Sequence, residues 1–212
     1  MPISGIDILI NNAAVANSES LYNNYEDCKY IVDINYKSLL IIQELLFPLI
    51  RNNGRIVNMS SDCGHLSNIR NKYWIEKLSR KDLTIKDINE FVDWFLESVK
   101  HGTFKRDDFA DEGTVAAYRV AKVGMSALTM LQQLQLKERN IAVNSMHPGL
   151  VQTDMTGGVG FYSSDQAAET PVYLALDAPQ TLKGAYVWYD RRVLDWYDYK
   201  ADWWFRTSTL KP

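Results

Sequence analysis

The 212 residues suffice for one domain with a sizeable core, and 46% hydrophobic with 23% charged residues is the make-up of an ordinary folded protein. A formal charge of -3 gives no electrostatic reason for DNA, RNA or an anionic membrane as partner. Two cysteines, Cys28 and Cys63, are too few for a disulfide framework, and the scattered His65, His101 and His147 have no metal-ligand spacing.

In chain order, the opening Met1-Pro2-Ile3-Ser4 lacks the basic start of a signal peptide and runs into a compact apolar stretch, Ile6 to Ile10, which stops at Asn11-Asn12. Tyr30 to Ile50 is dense enough in apolar residues for a long, mostly covered helix. Its greasiest part, from Leu39, is broken by Gln43, Glu44 and Pro48 and is too short to span a bilayer. The chain therefore reads as soluble and cytoplasmic. Gly54 to Met59 repeats the strand pattern and stops at Ser60-Ser61; the sequon-like Asn58-Met59-Ser60 inside it is a coincidence of composition.

Residues 65–112 break the rhythm. Thr84 is placed as an N-cap, and Ile88, Phe91, Val92, Phe95 and Val99 form one apolar stripe ending near Gly102. Such a segment is an amphipathic helix packed on the domain edge, or a lid over a site. Thr114 to Leu136 is a second helix with a small-residue face. Ile141 to Met146 is a third strand, stopping at His147-Pro148-Gly149, and Ala185 to Tyr189 a fourth. Strands alternating with helices predict an α/β fold with a parallel sheet, in which ligands bind beyond the carboxyl ends of the strands. Asn11-Asn12, Ser60-Ser61 and the stretch from His147 to Thr153 all fall at those ends.

Within the second helix Tyr118 and Lys122 stand one turn apart, so that an ammonium faces a phenol on the same side. A nearby cation favours the ionised phenol and makes it a usable acid or base. The spacing alone is unspecific, since Tyr25 and Lys29 share it. Its value comes from the strand-end clusters around it. His147 reads as a structural neighbour of Pro148, and Cys63 as a small buried hydrophobe.

These residues together resemble the short-chain dehydrogenase/reductase family, and most closely its monomeric NADPH-dependent carbonyl reductases. Asn11-Asn12-Ala13-Ala14 stands where the family writes Asn-Asn-Ala-Gly. Asn35, Ser61, Tyr118 and Lys122 fall in the order and rough spacing of its catalytic tetrad, and the stretch from His147 to Met155 is similar to its cofactor-binding turn after the sixth strand. The insertion before Tyr118 and the run from Ala168 to Leu176 point to the carbonyl-reductase branch. The resemblance covers roughly Ile6 to Trp196 and implies a Rossmann-type doubly wound sheet.

It also implies roles. Tyr118 would give a proton to a ketone, aldehyde or quinone oxygen, and Ser61, chosen over Ser60 because Gly64 follows it at the family's spacing, would hydrogen-bond that oxygen. Lys122 would lower the Tyr118 pKa and hold the nicotinamide ribose. Asn35 would shape its helix and anchor a water. Asn12 would border the ribose of NADPH, and Val151 and Thr153 would contact its amide.

The chain departs from the family in three places. No Thr-Gly-x-x-x-Gly-x-Gly turn is present, which implies that the first three strand-helix units, roughly eighty residues at about thirty per unit, are absent. The cofactor's phosphate half then lacks its helix terminus, and the strand from Ile6 to Ile10 becomes a bare apolar edge. Leu150 stands where such reductases often place Trp. Residues 197–212, with Tyr197, Tyr199, Trp203, Trp204 and Phe205, match nothing and either pack back on the domain or form a partner surface. The organisation expected is a partial reductase domain over 1–196, with the helical insertion at 65–112, and an aromatic tail over 197–212. The activity expected is carbonyl reduction of a small molecule with NADPH by a monomer. The alternative is a catalytically impaired short form acting as a binding module.

Overall fold

The computed structural model describes residues 5–16, 24–113 and 115–201; Trp203, Trp204 and Phe205 lie outside the described residues. Strand β1, Ile6–Asn11, is followed by helix α1, Tyr25–Val32, which Asn24 caps by accepting the Asp27 amide at 2.8 Å. Asp33–Lys37 form a π-turn that runs into α2, Ser38–Leu46. The helix expected from Tyr30 thus begins five residues earlier, because Asn24 supplies the cap. It ends before Pro48, which lies in a short 3-10 turn. Strand β2 spans Ile50–Met59, four residues more than its apolar run, and takes in Asn53 at a φ of 65°.

The insertion carries α3, Lys72–Leu78, and α4, Ile85–Lys100. Thr84 and Asp87 close a capping box on α4. Ile88, Phe91, Val92 and Phe95 are fully buried in one cluster with residues of α1, α3 and helix α5, Ala116–Leu136. Trp74, Phe91, Trp94 and Phe109 stack within it at ring separations of 5.4 to 6.1 Å. This is the edge-helix arrangement rather than a lid, since the stripe is already spent on the core. Strand β3, Ala142–Met146, and helix α6, Ser164–Leu176, follow. Strand β4 is shorter than expected, Tyr186–Val187, because the chain turns back into an unforeseen antiparallel β5, Val193–Leu194.

The sheet order is β1-β2-β3-β4-β5, and the first four strands are parallel. Alternate side chains serve opposite faces: Ile56 and Val143 join Phe47 and Leu136 on one, and Val57, Met59 and Met146 join Leu174 on the other. Helices therefore cover both faces, as a doubly wound sheet requires. No helix among the described residues is long and apolar enough to cross a membrane.

On its outer side β1 pairs with no strand among the described residues, and Ile8 and Ile10 are 38% and 40% exposed. An apolar edge with free backbone groups invites pairing with another chain. Replacing Ile8 and Ile10 by Lys should lower concentration-dependent association in sedimentation velocity. Unchanged association would place the contact elsewhere.

Candidate active site

Ser61 leaves the end of β2 and caps the 3-10 turn Asp62–Gly64. That turn lies directly on α5. A methyl group on Gly64 would sit 2.1 Å from Ser60 Oγ and 2.9 Å from the Lys122 carbonyl oxygen, so only glycine permits the approach. Ser60 Oγ meets Ser126 Oγ at 2.7 Å. Lys122, 1% exposed, donates from Nζ to the Met59 carbonyl at 2.6 Å, and its ammonium lies 5.5 Å from the centre of the Tyr118 ring. Ser61 lies beside the Tyr118 phenol and favours its ionised form. Ser61, Tyr118 and Lys122 are therefore brought together.

Their electrostatics differ from the expectation. Burial, and then the Cys63 and Asp62 charges, push the Tyr118 phenol well above its usual range, offset in part by Ser61. Lys122 keeps its own proton only to about pH 8, below the range of the buried phenol, and its Nζ donates to Met59. Burial pulls Lys122 itself from 10.5 to about 8, and the Cys63 thiol is pushed up to about 12, mainly by burial. Desolvation outweighs the single turn of spacing on which the sequence argument stood.

The other expected residues sit around this centre. Asn35, at the middle of the π-turn, accepts the Val15 amide at 2.8 Å and donates to the Val15 carbonyl at 2.7 Å. Both ends of its amide thus pin the segment after β1. Asn12 is exposed at the mouth of β1. Val151 bridges Tyr162, and Thr153 is held by Thr156 at the start of a 3-10 turn. Gly149, at a φ of 87°, lies under the Tyr162 ring. Leu150, Met155 and Phe161 form an exposed apolar lip on this loop.

Several residues of the site carried no sequence signal. Tyr186 donates from its phenol to the Ser61 carbonyl, Trp196 Nε1 to the Gly64 carbonyl at 2.7 Å, and His65 Nε2 to the Asp195 carbonyl at 2.8 Å. The turn bearing Ser61 is thus clamped by residues more than a hundred positions away. His65, whose Nδ1 accepts the Ser67 amide, is held neutral by burial with its pKa near 3. His147 Nδ1 accepts the Asp62 amide at 2.9 Å, which keeps that nitrogen unprotonated and fits its expected structural role. Arg119 donates to Asn68 and Asp111. Grooves of about 560 Å³ between α2 and α5 and about 430 Å³ beside α4 include none of Ser61, Tyr118 and Lys122.

The family model described as short chain dehydrogenase matches residues 2–73 and 109–160. The chain belongs to the short-chain dehydrogenase family. The unmatched stretch from 74 to 108 holds most of α3, all of α4 and the turns that follow. Carbonyl reductase [NADPH] 1 of Sus scrofa is 30% identical over 91% of this chain and 68% of its own length. (+)-Neomenthol dehydrogenase of Arabidopsis thaliana is 31% identical over 81% of this chain and 64% of its own. Salutaridine reductase from Papaver somniferum shares the fold with a TM-score of 0.76 and 27% identity, over 89% of this chain and 74% of that one.

An unfolded lysine keeps its proton to about pH 10.5, whereas the buried Lys122 releases it near 8. Between those values the unfolded state binds more protons, so this residue's contribution to stability rises with pH. Lys122→Met removes the slope. In urea titrations the variant's stability relative to the parent should be greater at about pH 7 than at about pH 10, by up to about 3 kcal/mol. A difference independent of pH would show that the ammonium is not desolvated.

Proposed function

We propose that this protein reduces the carbonyl of a small ketone, aldehyde or quinone to the alcohol, with NADPH as reductant. The feature that carries this reading is the Ser61 hydroxyl beside the Tyr118 phenol, with the buried Lys122 one helical turn below, its ammonium 5.5 Å from the phenol ring. Two hydroxyl groups meet there beyond the end of a parallel strand, where the fold places ligands. The matching relatives named as NADPH carbonyl reductases support the cofactor and the reaction. The free thiols Cys28 and Cys63 suit a reducing cytoplasm, and one chain supplies all three groups, as a monomeric enzyme needs.

The residues present fit the nicotinamide and ribose half of the dinucleotide. Lys122 Nζ spends one of its three donors on Met59 and keeps two for ribose hydroxyls. Asn12, Val151 and Thr153 stand at the neighbouring strand ends. Among the described residues no tight glycine-rich turn opens from a strand directly into a helix, the local structure that receives a pyrophosphate. When bound, the cofactor supplies hydride to the carbonyl carbon. Tyr118, kept neutral by burial, gives its phenolic proton to the oxygen as negative charge builds there. Ser61 donates a hydrogen bond to the same oxygen. Lys122, charged below about pH 8, holds the ribose. Asn35 keeps the Val15 segment in place beside the site. The lip of Leu150, Met155 and Phe161 offers apolar surface to the substrate, and Leu150 in particular sets its range.

A second reading, a non-catalytic binding module, is favoured by the open β1 edge. Tyr118→Phe separates the two. In an NADPH-oxidation assay over a panel of ketones and quinones it should cut turnover on the order of a hundredfold or more, while NADPH affinity by fluorescence stays nearly constant. Retained turnover would remove Tyr118 from the chemistry, and absent turnover in the parent would favour the binding module.

A further inference from the structure

Ser61 has one proton to donate, and in this structure it is already given away. The hydroxyl donates to Asp62 Oδ1 at 2.7 Å, and the Cys63 amide donates to the same oxygen at 2.8 Å. A hydroxyl has one proton, so while it is given to Asp62 none is left for a ligand, and Ser61 Oγ itself accepts the Cys63 amide at 3.2 Å. The Cys63 amide, Ser61 Oγ and the Asp62 carboxylate therefore form a directed chain, the amide donating to the hydroxyl and the hydroxyl to the carboxylate.

The carboxylate at the end of this chain is ionised. Burial works against its charge, but His147, the Ser61 hydroxyl, the Cys63 amide and Arg119 together leave it below the usual carboxylate range. The cations around it have other recorded partners as well. Arg119, on α5, donates to Asn68 and Asp111. Lys122, also on α5, donates to Met59. His147, from the loop after β3, stands 4.0 Å away with its Nδ1 occupied by the Asp62 amide. The best acceptor within reach of Ser61 is thus an anion of the protein itself, and a charged acceptor holds a hydroxyl proton more firmly than a neutral carbonyl oxygen does.

We propose that Asp62 is a positioning residue that restrains the reaction. It points the Ser61 proton away from the substrate oxygen, so that reduction begins with Ser61 turning from Asp62 to the carbonyl. This inference rests on the reading of Ser61 and Tyr118 given under the proposed function. It requires no exchange of groups beyond the hydrogen bonds themselves. Its role runs through Ser61, whose hydroxyl it holds.

The test compares Asp62→Ala, which removes the acceptor, with Asp62→Asn, which keeps an acceptor of the same shape without the charge. Breaking a charged hydrogen bond before each turnover should slow it on the order of tenfold or more. The expected order of kcat is therefore Asp62→Ala above Asp62→Asn above the parent, with KM altered by less than about twofold. A residue that merely held the turn would give the opposite order, with the conservative Asn rescuing the loss seen with Ala. A second readout needs no turnover. The buried Ser61 hydroxyl proton, assigned in proton NMR by its disappearance in Ser61→Ala, should move upfield or be lost to exchange in Asp62→Ala. A resonance unmoved by Asp62→Ala, or a kcat that falls in both variants, overturns the proposal. A parent chain whose resonance responds but which reduces no carbonyl instead sinks the reductase reading, and with it the restraint, while the Asp62–Ser61 bond stands.

Discussion

The bond from Lys122 Nζ to the Met59 carbonyl is the constraint on which the site depends. It ties α5 to the last residue of β2 and so sets where Tyr118, one turn earlier, stands relative to Ser61, two residues later. A buried ammonium is costly to desolvate, and the cost is visible in the fall of the Lys122 pKa to about 8. The glycine at position 64 and the Ser60–Ser126 contact then hold turn and helix at a separation that no side chain could occupy.

The same end of the sheet is threaded by a polar network that would be a liability elsewhere in a core. Asn11 donates to Asn58, which donates in turn to Thr129 and Gln132 on α5. Each member is satisfied, so the network fixes one alignment of β1, β2 and α5 instead of leaving unpaired groups behind. From the other side Tyr186 and Trp196 donate to the Ser61 and Gly64 carbonyls. The turn that bears Ser61 is therefore held from both flanks. Any freedom left at Ser61 lies in its hydroxyl rotor, which is where Asp62 acts.

Much of this was legible in the residues. Four compact β-branched runs became the four parallel strands, and the Thr84 cap and its apolar stripe became α4, because local capping and periodicity decide those elements. Strand ends were harder: β2 begins at Ile50 and β4 shrinks to two residues, since pairing partners rather than propensity set the limits of a strand. The meeting of Ser61, Tyr118 and Lys122 was foreseen through the family resemblance. Their electrostatics were not. The sequence puts Lys122 four residues from Tyr118, but only the fold shows that the ammonium turns to Met59 and that burial governs the phenol. The clamp by Tyr186, Asp195 and Trp196 spans more than a hundred residues and leaves no local pattern. Asp62 was hidden differently: it adjoins the serine in sequence, and nothing but its side-chain direction reveals that it takes the serine's proton.

The account's central claim is that one carbonyl oxygen sits between Ser61 and Tyr118 at the end of β2. A crystal structure of the chain with a bound ketone inhibitor tests this most directly. The account predicts the inhibitor oxygen within hydrogen-bonding distance of both Ser61 Oγ and the Tyr118 phenol, with Ser61 turned away from Asp62. An inhibitor whose oxygen reaches neither group, with the Ser61–Asp62 bond undisturbed, would contradict it.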